Sequence, residues 1–250
     1  MQKAAYYHYT CRLFTLIITH GMTSFDITKL KNMRKIVVTT FMTLDGVLQA
    51  PGGPHEDRTG GFEWGGWQFT YSDETAGHAI MKILETDFDL LLGRRTYEIF
   101  AAYWPYQNDF IGQKFNRIRK YVVGTSEVDT SWQNTIQLKD DVVNRLNKLK
   151  TEEGPDLLVH GSSRLIQTLL SNHLVDVLHT VVYPITIGKG KKLFEEGTQP
   201  QVWKVIQSSV TPGGVSITSY EPGVRLKKGS EIPGTISDAE IARRNRWMQD

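Results

Sequence analysis

The sequence predicts an α/β domain with three layers, built on a mostly parallel sheet of about eight strands and closed by an antiparallel hairpin. Three observations predict it. Short β-branched or leucine-rich runs alternate with segments of helical period, which is the pattern of a sheet covered on both faces. Several of those runs end in glycine just before a helix. Near the C-terminus, Val202–Val210 and Val215–Tyr220 flank Pro212, Gly213 and Gly214, a hairpin signal.

In chain order, Ile36–Met42 (IVVTTFM) is a buried strand by its β-branched content. A glycine-rich loop comes next (APGGP, then TGGFEWGGW), whose Phe62, Trp64, Trp67, Phe69 and Tyr71 are candidates for a lid, a pocket wall or core packing. Asp73–Glu85 has Ile80, Met81 and Leu84 on one helical face. Phe88–Leu92 is a strand ending at Gly93, and a helix begins at Arg94. Tyr121–Val123 is a strand leading to Gly124, Thr125 and Ser126, and Thr135–Leu138 is a brief one. Asp140–Leu149 is an amphipathic helix stopped by Gly154 and Pro155. Asp156–Val159 is a strand, Ser162–Leu170 a helix, and Val177–Ile187 mostly strand.

Both ends differ from this pattern. Residues 1–32 lack a clear period and precede a second start-like sequence at Met33, so they are expected to be an extension outside the fold. The domain is expected over 33–222. The polar tail, 223–250, holds Pro233 and Gly234, then a short helix over Ser237–Met248 with capping-box spacing between Ser237 and Glu240.

Composition narrows the function classes. The 250 residues are 40% hydrophobic and 22% charged with a net charge of +2, so there is material for a core and no bias toward nucleic acid or membrane. Cys11 is the only cysteine, which excludes an internal disulfide and a multi-thiolate zinc site. The N-terminal apolar stretch Leu13–Thr19 is too short to span a bilayer, and a cytoplasmic location is expected. The histidines form no close ligand pair, so no metal is expected, and His78, His160 and His179 read as structural.

The chemistry-bearing positions lie at strand ends. Gly93-Arg94-Arg95-Thr96 opens a helix where unpaired N–H groups and the helix dipole favour an anion, with arginines beside it. Gly161-Ser162-Ser163-Arg164 repeats the arrangement, and Gly124-Thr125-Ser126 adds hydroxyls at a third strand end. Each alone also reads as an ordinary helix cap or turn. Together they fit one ligand with several separated phosphates. G-x-G-x-x-G after the first strand and G-x-x-x-x-G-K-[ST] are both absent.

The order and spacing of these segments carry a resemblance. Thr43-Leu44-Asp45-Gly46, Gly93 to Glu98, His160 to Ile166, and Tyr183 to Gly190 followed by Leu193-Phe194 together resemble the dihydrofolate-reductase-like family. They are most similar to stand-alone proteins like the C-terminal reductase domain of the bifunctional riboflavin-biosynthesis deaminase-reductase. The resemblance implies NADPH as cofactor. Arg94 is then expected at the 2′-phosphate with Thr125 and Ser126 on that side. Arg95 and Thr96 are expected at the pyrophosphate, and Gly161 to Leu165 (with Ser162, Ser163 and Arg164) cradle it from the opposite helix. The nicotinamide is expected by Thr40 and the Asp45 loop.

The resemblance also implies a small heterocyclic substrate, foremost 5-amino-6-(5-phosphoribosylamino)uracil. Its phosphate would draw on Arg58, Lys189, Lys191 or Lys192. Dihydrofolate or another pterin is the alternative substrate, and a non-catalytic NADPH-binding module the alternative role. Asp73 and Glu74 at a helix start, and Asp45, are candidate proton donors, each weighed against a cap or turn role. Relatives of this kind are commonly dimers, so a homodimer through the sheet edge or the loop around Pro184 is expected.

Overall fold

The computed structural model describes residues 33–224, 226–230 and 234–248. The expected N-terminal extension lies outside the described residues. The helices that carry a label are α1 (Trp67–Tyr71), α2 (Glu74–Glu85), α3 (Arg94–Tyr103), α4 (Phe110–Arg117), α5 (Val142–Lys150), α6 (Ser163–Ser171) and α7 (Asp238–Trp247). The strands are β1 (Ile36–Thr43), β2 (Phe88–Gly93), β3 (Lys120–Val123), β4 (Thr135–Leu138), β5 (Asp156–His160), β6 (Val177–Tyr183), β7 (Trp203–Val210) and β8 (Ser216–Pro222).

The strands make one sheet in the order β4-β3-β2-β5-β1-β6-β8-β7. The first six run parallel, and β8 joins β6 antiparallel before pairing with β7 as the hairpin. This is the mostly parallel α/β sheet with an antiparallel C-terminal hairpin that the strand–helix alternation predicts. β6 stops at Tyr183, short of the expected Ile187, because Pro184 comes directly after it and lacks an N–H.

Side chains alternate across the central strands and sort the helices to two faces. Leu90 and Leu92 of β2 and Leu158 of β5 pack with Leu84 of α2, Tyr97 and Phe100 of α3, and Phe115 of α4. Leu91, Leu157 and Val159 point the other way, against Leu146 and Leu149 of α5 and Ile166 and Leu169 of α6. A third cluster, containing Phe41, Phe62, Trp67, Val181 and Tyr183, sits beneath the glycine-rich loop. There Trp67 donates its indole N–H to the Gln49 carbonyl at 2.9 Å and meets Tyr183 edge-on. Phe62 and Trp67 are therefore core residues, whereas Trp64, Phe69 and Tyr71 are exposed.

α4, at eight residues, is too short for a repeating pattern to be read from sequence. It is fixed by the Asp109 cap onto the Gly112 N–H and by Phe115, while buried Lys114 donates to the Leu84 carbonyl of the neighbouring α2. At the opposite side of the sheet from the glycine junctions, Arg34 forms a buried ion pair with Asp89 at 2.5 Å. The tail helix α7 forms as its capping-box spacing predicts, with Ser237 accepting from the Glu240 N–H at 3.3 Å.

Candidate active site

The carboxyl ends of the parallel strands open into one cleft of about 1250 Å³. Its lining follows the strand order. Gly124, Thr125 and Ser126 come from the end of β3, Gly93 to Thr96 from β2, His160 to Leu165 from β5, and Thr40 and Phe41 from β1. All the sequence-predicted cofactor residues line this one space: Thr40, Gly93, Arg94, Arg95, Thr96, Thr125, Ser126, Gly161, Ser162, Ser163, Arg164 and Leu165.

Two helix N-termini face the cleft without capping side chains. α2, α4 and α7 are capped by Asp73, Asp109 and Ser237, but α3 and α6 have no side-chain cap. (α5 and the five-residue α1 also lack one: α5 does not line the cleft, and at α1 the Gln68 N–H is taken by the Pro51 carbonyl.) Their free N–H groups and dipoles favour an anion between them. The two junctions are tied together. Ser162 accepts from the Gly93 N–H at 2.9 Å and donates to the Thr96 hydroxyl at 2.8 Å. Ser162 takes a left-handed backbone, with φ at 68°, beside Gly161 at 66°. A Cβ at Gly93 would come within 3.3 Å of the Ser162 side chain, a tight contact that glycine avoids. This donor set fits a phosphorylated dinucleotide.

The sequence-predicted proton donors are held in other interactions. Asp45, Asp73 and Glu74 do not line the cleft. Asp45 accepts from the Thr43 hydroxyl at 2.6 Å and from the N–H groups of Ile187 and Gly188, tying the end of β1 to the loop after β6. Burial raises its carboxyl, but these hydrogen bonds outweigh that and hold it below the ordinary range. Asp73 is kept low by the Thr211 hydroxyl, then by the N–H groups of Ala76 and Gly213, so it is a helix cap that also holds the hairpin turn. Glu74 is solvated, with His78 at 3.9 Å. Of the cations expected to hold a second phosphate, Arg58, Lys189 and Lys192 are also outside the lining, and Lys191 is ion-paired with Asp57.

Sequence reading missed Glu56. It lies in the glycine-rich loop and lines the cleft with Asp57 and Lys191. Its Oε2 accepts from the N–H of Gly52 at 2.6 Å and of Gly53 at 3.1 Å. Burial pushes its carboxyl up, the two glycine N–H groups pull it back, and neighbouring Asp57 adds to the rise. The APGGP spacing with an acid close behind it was the available signal: consecutive glycine N–H groups form an anion nest. His160 lines the cleft and packs edge-on against Phe41, and its Nδ1 is sealed from solvent with no partner among the described residues. Burial lowers its pKa to about 4, so the ring is neutral near pH 7.

Comparison with known proteins agrees with this geometry. The Bacillus subtilis protein YyaP, itself uncharacterized, is 26% identical over 188 residues, covering 73% of this chain and 92% of YyaP. Three solved structures share the fold. A Shewanella sp. PV-4 protein provisionally named for riboflavin biosynthesis superposes with a TM-score of 0.59 at 20% identity, covering 76% of this chain and 99% of its own. A pyrimidine reductase-like protein from Corynebacterium diphtheriae gives 0.55 at 14% identity, with 84% and 98% covered. Enterococcus faecalis dihydrofolate reductase gives 0.50 at 15% identity, with 76% and 97% covered. The family model described as "RibD C-terminal domain" matches residues 34–218, and with that match added to the sheet order and the paired helix N-termini, the chain belongs to the RibD C-terminal domain family of reductases.

Proposed function

We propose that residues 33–222 form an NADPH-dependent reductase acting on a small heterocycle. The observation that carries this reading is the convergence of three strand ends and two uncapped helix N-termini on one cleft. Bound NADPH supplies a hydride, and the protein's task is to place it and to exclude water. Arg94, with Thr125 and Ser126 at the neighbouring strand end, binds the 2′-phosphate. Arg95, Thr96 and the Gly161 to Leu165 turn hold the pyrophosphate between the helix dipoles. Thr40, buried on β1, places the nicotinamide end beside the loop. Family likeness makes 5-amino-6-(5-phosphoribosylamino)uracil, a riboflavin precursor, the first substrate to try, with pterins second.

Titrating the purified protein with NADPH and NADH while following tryptophan emission tests the cofactor assignment. Arg94→Ala is expected to weaken NADPH about tenfold more than NADH, the size of one charge-assisted hydrogen bond. Equal losses for both count against the 2′-phosphate assignment. Oxidation of NADPH across a panel of pyrimidines and pterins separates an enzyme from a binding module.

We also propose a cytoplasmic homodimer. The edge strand β7 leaves Val205, Ile206 and Val210 exposed, and an apolar edge of that kind favours pairing with a second copy. Light scattering at a monomer mass removes this part of the reading.

A further inference from the structure

The two ends of the cleft carry opposite charge. The strand-end region presents Arg94, Arg95 and Arg164, of which Arg94 is paired with Glu98 at 2.7 Å. The loop end presents Glu56 and Asp57, and the one lysine among its described lining residues, Lys191, is already paired with Asp57. His160, also in the lining, is neutral near pH 7 and adds no positive charge.

The glycine turn at the loop end is the one feature there with the shape of a phosphate site. Its two consecutive N–H groups, from Gly52 and Gly53, both donate to Glu56 Oε2. An internal carboxylate therefore occupies the nest that a phosphate would need. A phosphate entering this region would meet the Glu56 carboxylate, an Asp57 already neutralised by Lys191, and no free donor in that turn. Glu56 Oε1 has no hydrogen-bond partner among the described residues, so one acceptor remains for a ligand. The same cleft is also lined by apolar side chains: Ile80, Met81 and Leu84 from α2, and Ile99, Phe100 and Tyr103 from α3. Such walls suit the faces of a flat ring.

We propose that the loop end takes an unphosphorylated, flat nitrogen heterocycle, neutral or cationic, and that Glu56 selects it by accepting a ring or amino N–H at Oε1 while repelling phosphate. This rests on the reductase reading and narrows its substrate class. It makes a phosphoribosylated pyrimidine a poorer substrate than its dephosphorylated or free-base counterpart.

The test uses the full chain and begins with NADP⁺ alone. Absence of NADP⁺ binding overturns the reductase reading, whichever way the heterocycle measurements turn out. With NADP⁺ saturating, calorimetry then compares 2,4-diaminopyrimidine, uridine and uridine 5′-phosphate. Uridine is expected to bind at least about tenfold more tightly than its 5′-phosphate, and 2,4-diaminopyrimidine, with more donors, more tightly than uridine. Glu56→Gln retains an oxygen for the Gly52 and Gly53 N–H groups but replaces the free acceptor with a donor and removes the charge. It is expected to weaken 2,4-diaminopyrimidine about tenfold and to shrink the penalty on the phosphate, leaving NADP⁺ affinity unchanged. Tighter or equal binding of uridine 5′-phosphate to the wild type overturns the proposal. So does an E56Q protein whose preference among the three probes is the same as before.

Discussion

The two halves of the cleft are built by different means. The strand-end half is assembled largely from backbone: uncapped helix starts, Gly161 and Ser162 at positive φ and a serine strap, with arginines added at the rim. The loop half is assembled from side chains, with Glu56, Asp57, Lys191 and Gln49 satisfying one another and the loop's own N–H groups. Backbone donors and dipoles are fixed by the fold and suit a constant partner such as a dinucleotide. Side-chain networks respond to single substitutions and suit the part of a site that discriminates among substrates.

The largest expected effect separates the halves. A side chain at Gly65 would sit 2.5 Å from the Gly53 carbonyl and 3.0 Å from the Pro54 backbone. Gly65→Ala should therefore push the 52–54 turn out of place, reducing turnover on any substrate about a hundredfold. NADPH affinity should stay within about twofold. Parallel losses in both would show that the halves are one unit. Next in size is Ser162→Ala, which leaves the Gly93 N–H without its acceptor. A loss of about 1–2 kcal/mol is expected, read as weaker NADPH binding and a lower melting temperature.

His160 gives a smaller and pH-dependent effect. Its pKa falls from the ordinary 6.5 to about 4 on folding. The folded state thus binds fewer protons, and the stability tied to the neutral ring is intact above pH 6.5. It is lost as pH falls from 6.5 toward 4 and levels off below. About 2 kcal/mol is expected over that window, less than full linkage because the residue keeps some exposure. Urea unfolding at pH 7 and pH 4.5 measures it, and His160→Phe should flatten the fall. The smallest effect belongs to Asp73→Ala. Loss of a solvent-exposed cap should lower the melting temperature slightly and leave turnover unchanged. A large drop in turnover would return Asp73 to the chemistry.

The backbone-built half was legible in the sequence because its signals are local. A buried run, a glycine and then serine, threonine or arginine at a helix start can be read within six residues, as at Gly93 and Gly161. The loop half was not. Glu56 matters because its oxygen reaches back to Gly52 and Gly53 and because the fold brings Ile80 and Phe100 opposite, and only the first of these is short-range. Asp73 and Glu74 are ambiguous in sequence for a physical reason: an acid that caps a helix and an acid that donates a proton look alike until burial and partners are known. α4 stayed hidden because its eight residues hold only Phe110, Ile111 and Phe115 as large apolar side chains, too short a run for a repeat to show.

The Ser162 strap has a consequence for how such a protein can diverge. It binds two crossover units to each other without touching the rim arginines. If Arg94 and Thr125 hold the 2′-phosphate as proposed, substitutions there would retune which dinucleotide is preferred while the cradle keeps its shape. Taste and scaffold can drift independently within one lineage.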